Sequence, residues 1–421
     1  SQPATGQKKS WYFAEGSTAQ PFDSWFLLYN PGPAAATARL TFMVEGKGTT
    51  TQEMLVPAGS RRSLFANQVV PSAAFSTRVD SDQPIYAERA MYAGFDGHGV
   101  TGVSEPSRVW YFAEGATTSP FHTWLLLQNP NPSPATARVT FLLEGGSTST
   151  REVWVAPNSR ASLFANQLVP DAAFSTRVES DLPMVAERAM YRFPGNASTG
   201  VTGVASPSRN WYFAGGLPSY RGQPFDSWLL LQNPGPNPVS ATITFLGSDG
   251  RTETTYRVLP PSSRSSLFVS QLFGSGSHGI RVEAGGDIIA ERSVFLGPSA
   301  ISGGEPQGAY ATQGAPQLGT LWVLPEGSTA PPFDEKISVL NPHAVPMQVR
   351  FEFFPEGAAT ISHEVTLGPS RNLDLEVDEL VPSAGVSARI TTSLPSAVER
   401  TMFWSKGGKM GAHNSMGIRV E

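Results

Sequence analysis

The stretch WYFAEG at residues 11–16 decides the fold, because the chain contains four versions of it. It returns as WYFAEG at 110–115, as WYFAGG at 211–216 and as WVLPEG at 322–327. Self-similarity with a period of about 100 residues indicates a tandem array of units, each large enough to bury its own core. We therefore expect four units, at residues 1–109, 110–210, 211–318 and 319–421.

The first unit is predicted to be all-β. Residues 36–46, ATARLTFMVEG, alternate apolar and polar side chains as a half-buried strand does, and Asn30-Pro31-Gly32 is a turn signal. Turn signals recur about every 8–12 residues between some seven strands, which is typical of an antiparallel β-sandwich of immunoglobulin-like size. The short connections between units one, two and three favour a stiff rod of such sandwiches.

Unit four keeps this skeleton but loses most of its aromatic residues, as the capping repeat of an array does. The segment before it, Gly297 to Thr320, is rich in Gly, Pro, Ala and Gln. That composition predicts a flexible joint.

Composition excludes several classes of protein. The net charge of −5 with 15% charged residues does not favour nucleic acid or an anionic membrane as partner. The absence of cysteine excludes disulfide scaffolds, Cys-ligated zinc and thiol catalysis. No apolar run is long enough to span a membrane. We expect no cofactor and no metal; the acidic pair Asp80/Asp82 suits weak calcium binding, but a solvated turn is the favoured interpretation.

Charged residues recur at equivalent positions in the four units. They are the glutamates of the first motif (Glu15, Glu114, Glu326), a Ser-Arg (Arg61, Arg160, Arg264, Arg371), an Arg before Val or Ile (Arg78, Arg177, Arg281, Arg389) and a Glu-Arg pair (Glu88-Arg89, Glu187-Arg188, Glu291-Arg292, Glu399-Arg400). One interpretation is a catalytic constellation used four times. The favoured one is a buried charged network that stabilises each sandwich.

Strand geometry supports the network. Neighbours on a strand point to opposite faces, so Glu88 and Arg89 are not partners. Arg89 shares a face with apolar residues and therefore needs a counter-charge, for which Glu15 is the candidate. Unit three has Gly215 in place of that glutamate, so either backbone carbonyls serve Arg292 or the pairing is wrong.

The motifs together resemble an uncharacterised bacterial repeat family. WYFAEG, LLLQNP and AERAMY are similar to motifs of a tandem repeat of about 100 residues in long secreted or surface proteins. The resemblance is strong in units one to three and weak in unit four. It implies an extracellular, cell-surface location and a structural or adhesive role, and it implies no catalytic residues.

We expect a non-enzymatic structural protein that forms a stalk, sheath or filament. The start, SQPATGQKKS, has no apolar core of a signal peptide, so either such a peptide was removed or the chain is part of a longer one. The alternative is a carbohydrate-binding or adhesin array that stacks sugars of surface glycans on exposed aromatics. The candidate aromatics are Trp154, Tyr220, Tyr256 and Trp404.

The filament is expected to grow head to tail. The chain starts just before one WYFAEG and ends, at NSMGIRVE, where another would begin. We therefore expect Met416, Ile418 and Val420 to add as a strand to unit one of the next copy, near Trp11 and Phe13.

Overall fold

The computed structural model describes residues 6–94, 96–192, 197–297 and 304–420, and these fold mainly as β-strands in four sheets. The all-β expectation is confirmed. Within these ranges, helical structure is confined to two 3-10 turns, Ala66–Gln68 and Ala165–Gln167, and one short helix, α1 (Val269–Leu272). In the described residues no helix has the length and apolarity needed to cross a membrane.

Each sheet is built from consecutive strands. Unit one contains β1 (Lys8–Phe13), β2 (Phe22–Asn30), β3 (Ala36–Val44), β4 (Gly48–Val56), β5 (Ser60–Phe65), β6 (Phe75–Ala93) and β7 (Asp96–Thr101). Unit two contains β8 (Ser107–Phe112), β9 (Phe121–Asn129), β10 (Ala135–Leu143), β11 (Thr148–Val155), β12 (Ser159–Phe164), β13 (Phe174–Arg192) and β14 (Ser198–Thr202).

Units three and four follow the same plan. Unit three contains β15 (Ser208–Phe213), β16 (Ser219–Tyr220), β17 (Gln223–Asn233), β18 (Val239–Gly247), β19 (Thr252–Leu259), β20 (Ser263–Phe268), β21 (His278–Leu296) and β22 (Gly308–Gln313). Unit four contains β23 (Gly319–Leu324), β24 (Phe333–Asn341), β25 (Met347–Pro355), β26 (Ile361–Leu367), β27 (Arg371–Glu376), β28 (Val386–Lys406), β29 (Lys409–Met416) and β30 (Ile418–Arg419).

One long strand organises each unit. In unit one the strand order is β4-β3-β6-β2-β5, and β1 and β7 also pair with β6. The first half of β6 pairs with β1 and β3, and its second half pairs with β2 and β7. The immunoglobulin arrangement differs, because there each strand belongs to one of two separate sheets.

The repeated motif supplies the core of each unit. Trp11 and Phe13 on β1 are fully buried and pack with Phe26 and Leu40. The indole nitrogen of Trp11 donates to the carbonyl of Ile85 at 3.0 Å, so the polar atom of this large side chain is satisfied inside the core.

The Asn-Pro turn is also held from inside. The side-chain amide of Asn30, which is fully buried, donates to the carbonyls of Ala34 at 2.8 Å and Val56 at 3.1 Å. Its oxygen accepts from the backbone of Gly32 at 3.0 Å. Asn129, Asn233 and Asn341 make the same bonds in the other units. The recurring asparagine is therefore a structural residue.

The units form a closed ring, so the expectation of a rod is wrong. The strands β7, β14, β22 and β29 lie side by side around the centre, with β7 against both β14 and β29 and with β22 against the same two strands. Unit four therefore contacts unit one as the earlier units contact their successors. We call these four the inner strands.

The expected flexible joint is part of this ring. Residues 308–313 form inner strand β22, which is hydrogen-bonded to β21 along its whole length. Residues 298–303 of the predicted joint lie outside the described residues. The inner strands pack closely here, because a Cβ atom at Gly308 would lie 2.7 Å from the carbonyl oxygen of Met410 and 3.0 Å from the carboxylate of Asp96.

Candidate functional site

The arginines of the four Glu-Arg pairs lie at the contacts between units and are completely buried. Arg89 of unit one contacts Glu15 of its own unit at 3.1 Å and Glu187 of unit two at 2.8 Å. Arg188 contacts Glu114 at 2.8 Å and Glu291 of unit three at 2.6 Å. We call these arginines and the glutamates that contact them the ion-pair belt.

The belt is continuous around the ring. Arg400 of unit four contacts its own Glu326 at 2.6 Å and Glu88 of unit one at 2.9 Å, which closes the cycle. Within each Glu-Arg pair, the glutamate therefore faces the preceding unit and the arginine faces the next. The pairing predicted within a unit occurs, as Arg89 with Glu15 shows. What the sequence did not predict is that each of these arginines also joins its unit to the next.

Unit three shows how the belt works without its first glutamate. Arg292 contacts Glu399 of unit four at 2.5 Å, and the ring of Phe213 lies 5.4 Å from its guanidinium carbon. At Gly215 a Cβ atom would lie 2.7 Å from the hydroxyl of Ser338. The glycine thus makes room for unit four, and Arg292 has a single carboxylate partner among the described residues.

Burial and pairing shift the belt carboxylates in opposite directions. Burial raises the pKa of Glu187, because its one arginine does not fully offset the lost hydration. For Glu15 burial acts in the same direction, but His98, Arg89 and Tyr191 together lower the pKa to about 2. His98 lies 2.8 Å from Glu15, and its counterpart in unit four, His413, lies 3.6 Å from Glu326. Burial, with Arg400 nearby, holds the pKa of His413 well below its usual value.

The Ser-Arg residues form a second set of contacts between units. Arg160 donates to the carbonyls of Gly16 at 2.9 Å and Phe75 at 2.6 Å in unit one, and Arg264 makes the same pair of bonds to unit two. Arg61 donates to Gly327 of unit four at 3.2 Å, and Arg371 donates to Ser248 of unit three at 3.4 Å. Each of these arginines therefore contacts the unit before its own.

The third arginine set does not join the buried network. Arg78 contacts Asp80 at 2.8 Å on the outer sheet, and both side chains are more than one third exposed. Arg177, Arg281 and Arg389 make the same kind of half-exposed pair, with Glu179, Glu283 and Glu352. Exposed pairs of this kind contribute little to stability. The prediction that this set is buried is wrong, because a strand position followed by Val or Ile does not fix which face is solvated.

Asp96 on β7 is an axial residue that the repeat pattern does not reveal. Its buried carboxylate accepts the backbone N–H of Ser198 at 2.7 Å, of Ala309 at 3.1 Å and of Ala412 at 3.2 Å. These three donors belong to units two, three and four. Burial raises the pKa of Asp96 well above its usual value, although the N–H bonds lower it. The corresponding positions are Ala197, Gly308 and Gly411, so no recurrence marks it.

A cavity of about 130 Å³ lies between the inner strands. Its wall includes Val100, Thr101, Thr202, Gln313 and Asn414. These side chains hold no acid–base pair and no nucleophile with its base. Among the described residues no group of three metal-ligating side chains occurs.

The segment predicted to reach the next copy lies on its own chain. Ile418 on β30 pairs with Val323 on β23. Its side chain is 1% exposed and packs into the core of unit one with Trp11 and Phe13. The partly buried Val420 packs against the same core, whereas Met416 packs against the core of unit four. The prediction that these residues are free for a second copy is wrong, because they already complete the contact between units four and one.

A second, larger cavity of about 430 Å³ lies at the contact between units four and one. We call it the junction cleft. Aromatic side chains from both units line it, and so do charged residues: Trp25, Tyr92, Phe333 and Trp404, with Asp23, Arg61 and Glu326.

The four aromatics named for sugar stacking are not equivalent in the structure. Trp154 and Tyr256 are exposed, 64% and 69%, on the outer strands β11 and β19. Tyr220 stacks on Phe403 at 4.2 Å where units three and four meet, and Trp404 is a buried wall of the junction cleft. The chain therefore does not present a regular array of exposed rings.

Comparison with known proteins adds little. No family model and no curated protein match the chain. Its structure is similar to that of Thermotoga maritima 1070, with 17% identity and a TM-score of 0.23 over 24% of this chain and 94% of that one. The Anabaena sensory rhodopsin transducer is similar at 20% identity and a TM-score of 0.19, over 20% and 95% of the two chains.

A third similar structure is a tetra-tandem repeat in the extending region of a large adhesion protein. It has 14% identity and a TM-score of 0.12, over 93% of this chain and 94% of that one. All these TM-scores are too low to carry an argument about function.

Proposed function

We propose that this protein is a non-enzymatic structural and adhesive module of the bacterial cell surface, whose working form is one closed ring of four β-units. The ion-pair belt is the observation that carries the proposal. The recurring buried charges are used to hold units together, and Glu88 with Arg400 extends that use to the first and last units at 2.9 Å. Charges used in this way are held in fixed pairs and are not poised for proton transfer.

A filament grown through residues 416–420 is no longer part of the proposal, because Ile418 is buried in unit one of the same chain. The ring is then expected to stay monomeric. Light scattering of the purified chain up to millimolar concentration measures this directly. A weight-average molar mass that rises with concentration would contradict a monomeric ring.

The surface location is tested on cells. Antibodies raised against the purified chain should label intact source cells before any permeabilisation. Labelling that appears only after permeabilisation would refute the extracellular location. It would not bear on the monomeric state, which light scattering measures separately.

A further inference from the structure

The junction cleft has the walls of a ligand site. Tyr92 of unit one meets Trp404 of unit four with ring centroids 5.4 Å apart, and Phe333 lies 5.7 Å from Trp404. Trp25 lines the cleft from β2 of unit one. The volume of about 430 Å³ lies in the range of about 300–1,000 Å³ that is usual for small-molecule sites with aromatic walls and a few polar groups.

Arg61 in this cleft has a hydrogen-bond donor that Arg160 and Arg264, two of its three counterparts, use. Arg160 bonds two carbonyls of the preceding unit and also the hydroxyl of Ser162 at 2.8 Å. Arg264 repeats all three bonds, with Ser266 at 2.7 Å. In the described part of the chain, the side chain of Arg61 makes one hydrogen bond, from Nη1 to Gly327, and its Nη2 donates to no acceptor.

The guanidinium of Arg61 has no charged partner. Arg61 is 9% exposed and contacts no carboxylate within ion-pair distance in the described residues, and burial lowers its pKa. A guanidinium in such surroundings is more favourable when a ligand accepts its hydrogen bonds. The cleft therefore combines a planar, under-used donor with aromatic faces.

We propose that the junction cleft binds one pyranose ring of a saccharide. The apolar face of the ring would lie on the aromatic wall, and its hydroxyls or ring substituents would accept hydrogen bonds from Arg61. Asp23 at the rim, whose Oδ1 already accepts from Asn67 at 3.0 Å, has its second oxygen for a hydroxyl donor. The proposal gives a ligand class to the adhesive role proposed above and rests on it.

Other ligand classes fit the cleft less well. A quaternary ammonium ion suits an aromatic cage, but it carries no acceptor for the hydrogen-bond donors of Arg61. A purely apolar ligand would cover Arg61 and Asp23 without bonding to them, which costs free energy for both groups. A polyhydroxylated ring satisfies the aromatic and the polar walls together.

The test uses the full chain on an array of neutral and uronic-acid oligosaccharides, followed by calorimetric titration of the tightest-bound one. Trp25→Ala and Arg61→Gln should each weaken binding at least tenfold. Arg61→Gln should leave the melting temperature nearly unchanged, because it removes one hydrogen bond, and so it protects the test if Trp25→Ala fails to fold.

Two matched variants serve as controls. Trp124→Ala changes the same strand position in unit two, where Trp124 stacks on Phe164 at 4.6 Å as Trp25 stacks on Phe65 at 4.5 Å. Trp154→Ala removes an exposed ring of the outer sheet. Both should bind as the wild type does.

Each outcome decides the proposal. Binding of neutral or uronic-acid glycans that depends on Trp25 and Arg61 supports it, and the array arm that responds identifies the source. Absence of binding across the array, an unchanged dissociation constant in Trp25→Ala, or equal weakening in Trp154→Ala would overturn it. The surface-labelling experiment is independent of all three, so failure of the saccharide site and failure of the surface role are distinguishable.

Discussion

Replacing Glu399 by alanine should be more damaging than replacing Glu187, although the two residues occupy equivalent positions. Each carboxylate contacts one belt arginine and accepts one backbone N–H: Glu399 bonds Ala214 at 2.8 Å, and Glu187 bonds Ala14 at 2.7 Å. Both side chains are completely buried, so both variants leave cavities of the same size. Glu399 also accepts from the side-chain amide of Asn414 at 3.1 Å, but the larger difference lies in the arginine that stays behind.

The size of the stability loss depends on which carboxylates remain in contact with the arginine. In Glu187→Ala, Arg89 keeps Glu15 at 3.1 Å. In Glu399→Ala, Arg292 keeps no carboxylate in the described part of the chain, because Gly215 stands where units one, two and four have glutamate. Leaving a buried charge unpaired costs about 3–5 kcal/mol. We expect that full cost for Glu399→Ala, and about 2 kcal/mol less for Glu187→Ala.

Urea denaturation of the full chain at neutral pH, followed by tryptophan fluorescence, measures the difference. Trp11, Trp110, Trp211 and Trp322 are fully buried, one in each unit, so they report unfolding anywhere in the ring. Adding Arg292→Met to Glu399→Ala should recover part of the lost stability, because the stranded charge is then gone. Equal midpoints for the two single variants, or no recovery in the double variant, would refute the reasoning.

Three further predictions concern other groups. Burial raises the pKa of Glu335 to about 8 from its usual 4.5, so its contribution to stability is fully present below pH 4.5 and is lost as the pH rises through about 8. Glu335→Gln should therefore flatten the fall in melting temperature over that window, and an unchanged slope would contradict it. Asp96→Asn replaces a carboxylate that accepts three N–H bonds by an amide that accepts fewer, so it should lower the free energy of unfolding by about 1–3 kcal/mol. Amide hydrogen exchange should become faster at Ser198, Ala309 and Ala412. Faster exchange in unit one alone would contradict the contact of Asp96 with the other three units. Ile418→Ala should cost about 2–5 kcal/mol and loosen β1 of unit one, as seen by hydrogen exchange at Trp11, while protection equal to that of the wild type would argue against ring closure.

Local features of the fold follow from the sequence. The alternation in residues 36–46 and the turn at Asn30 match β3 and the turn before it, because strand pattern and turn chemistry act over a few residues. Strand alternation also separates Glu88 from Arg89 correctly, since the two side chains contact different units. What alternation does not give is the identity of the partner.

The ring and its site depend on contacts that no local pattern encodes. Glu88 bonds Arg400, which is 312 positions away in the sequence. Nothing in the sequence around either residue indicates that they meet in a ring, because a rod would leave the same local patterns unchanged. Arg78 and Arg89 recur equally well, yet one is solvated and the other is buried. Recurrence does not mark Asp96 either, because the other three units have Ala197, Gly308 and Gly411 at the equivalent positions.

The single Asp96 at the centre shows what fusion of the units permits. Four identical subunits around an axis would place four such carboxylates together, and their mutual repulsion would have to be neutralised by protons or cations. A chain that carries its four units as separate segments can mutate one of them alone. It can keep one acid and three small residues at the axis. The backbone of this protein is then nearly fourfold symmetric, whereas the side chains at its centre differ from unit to unit.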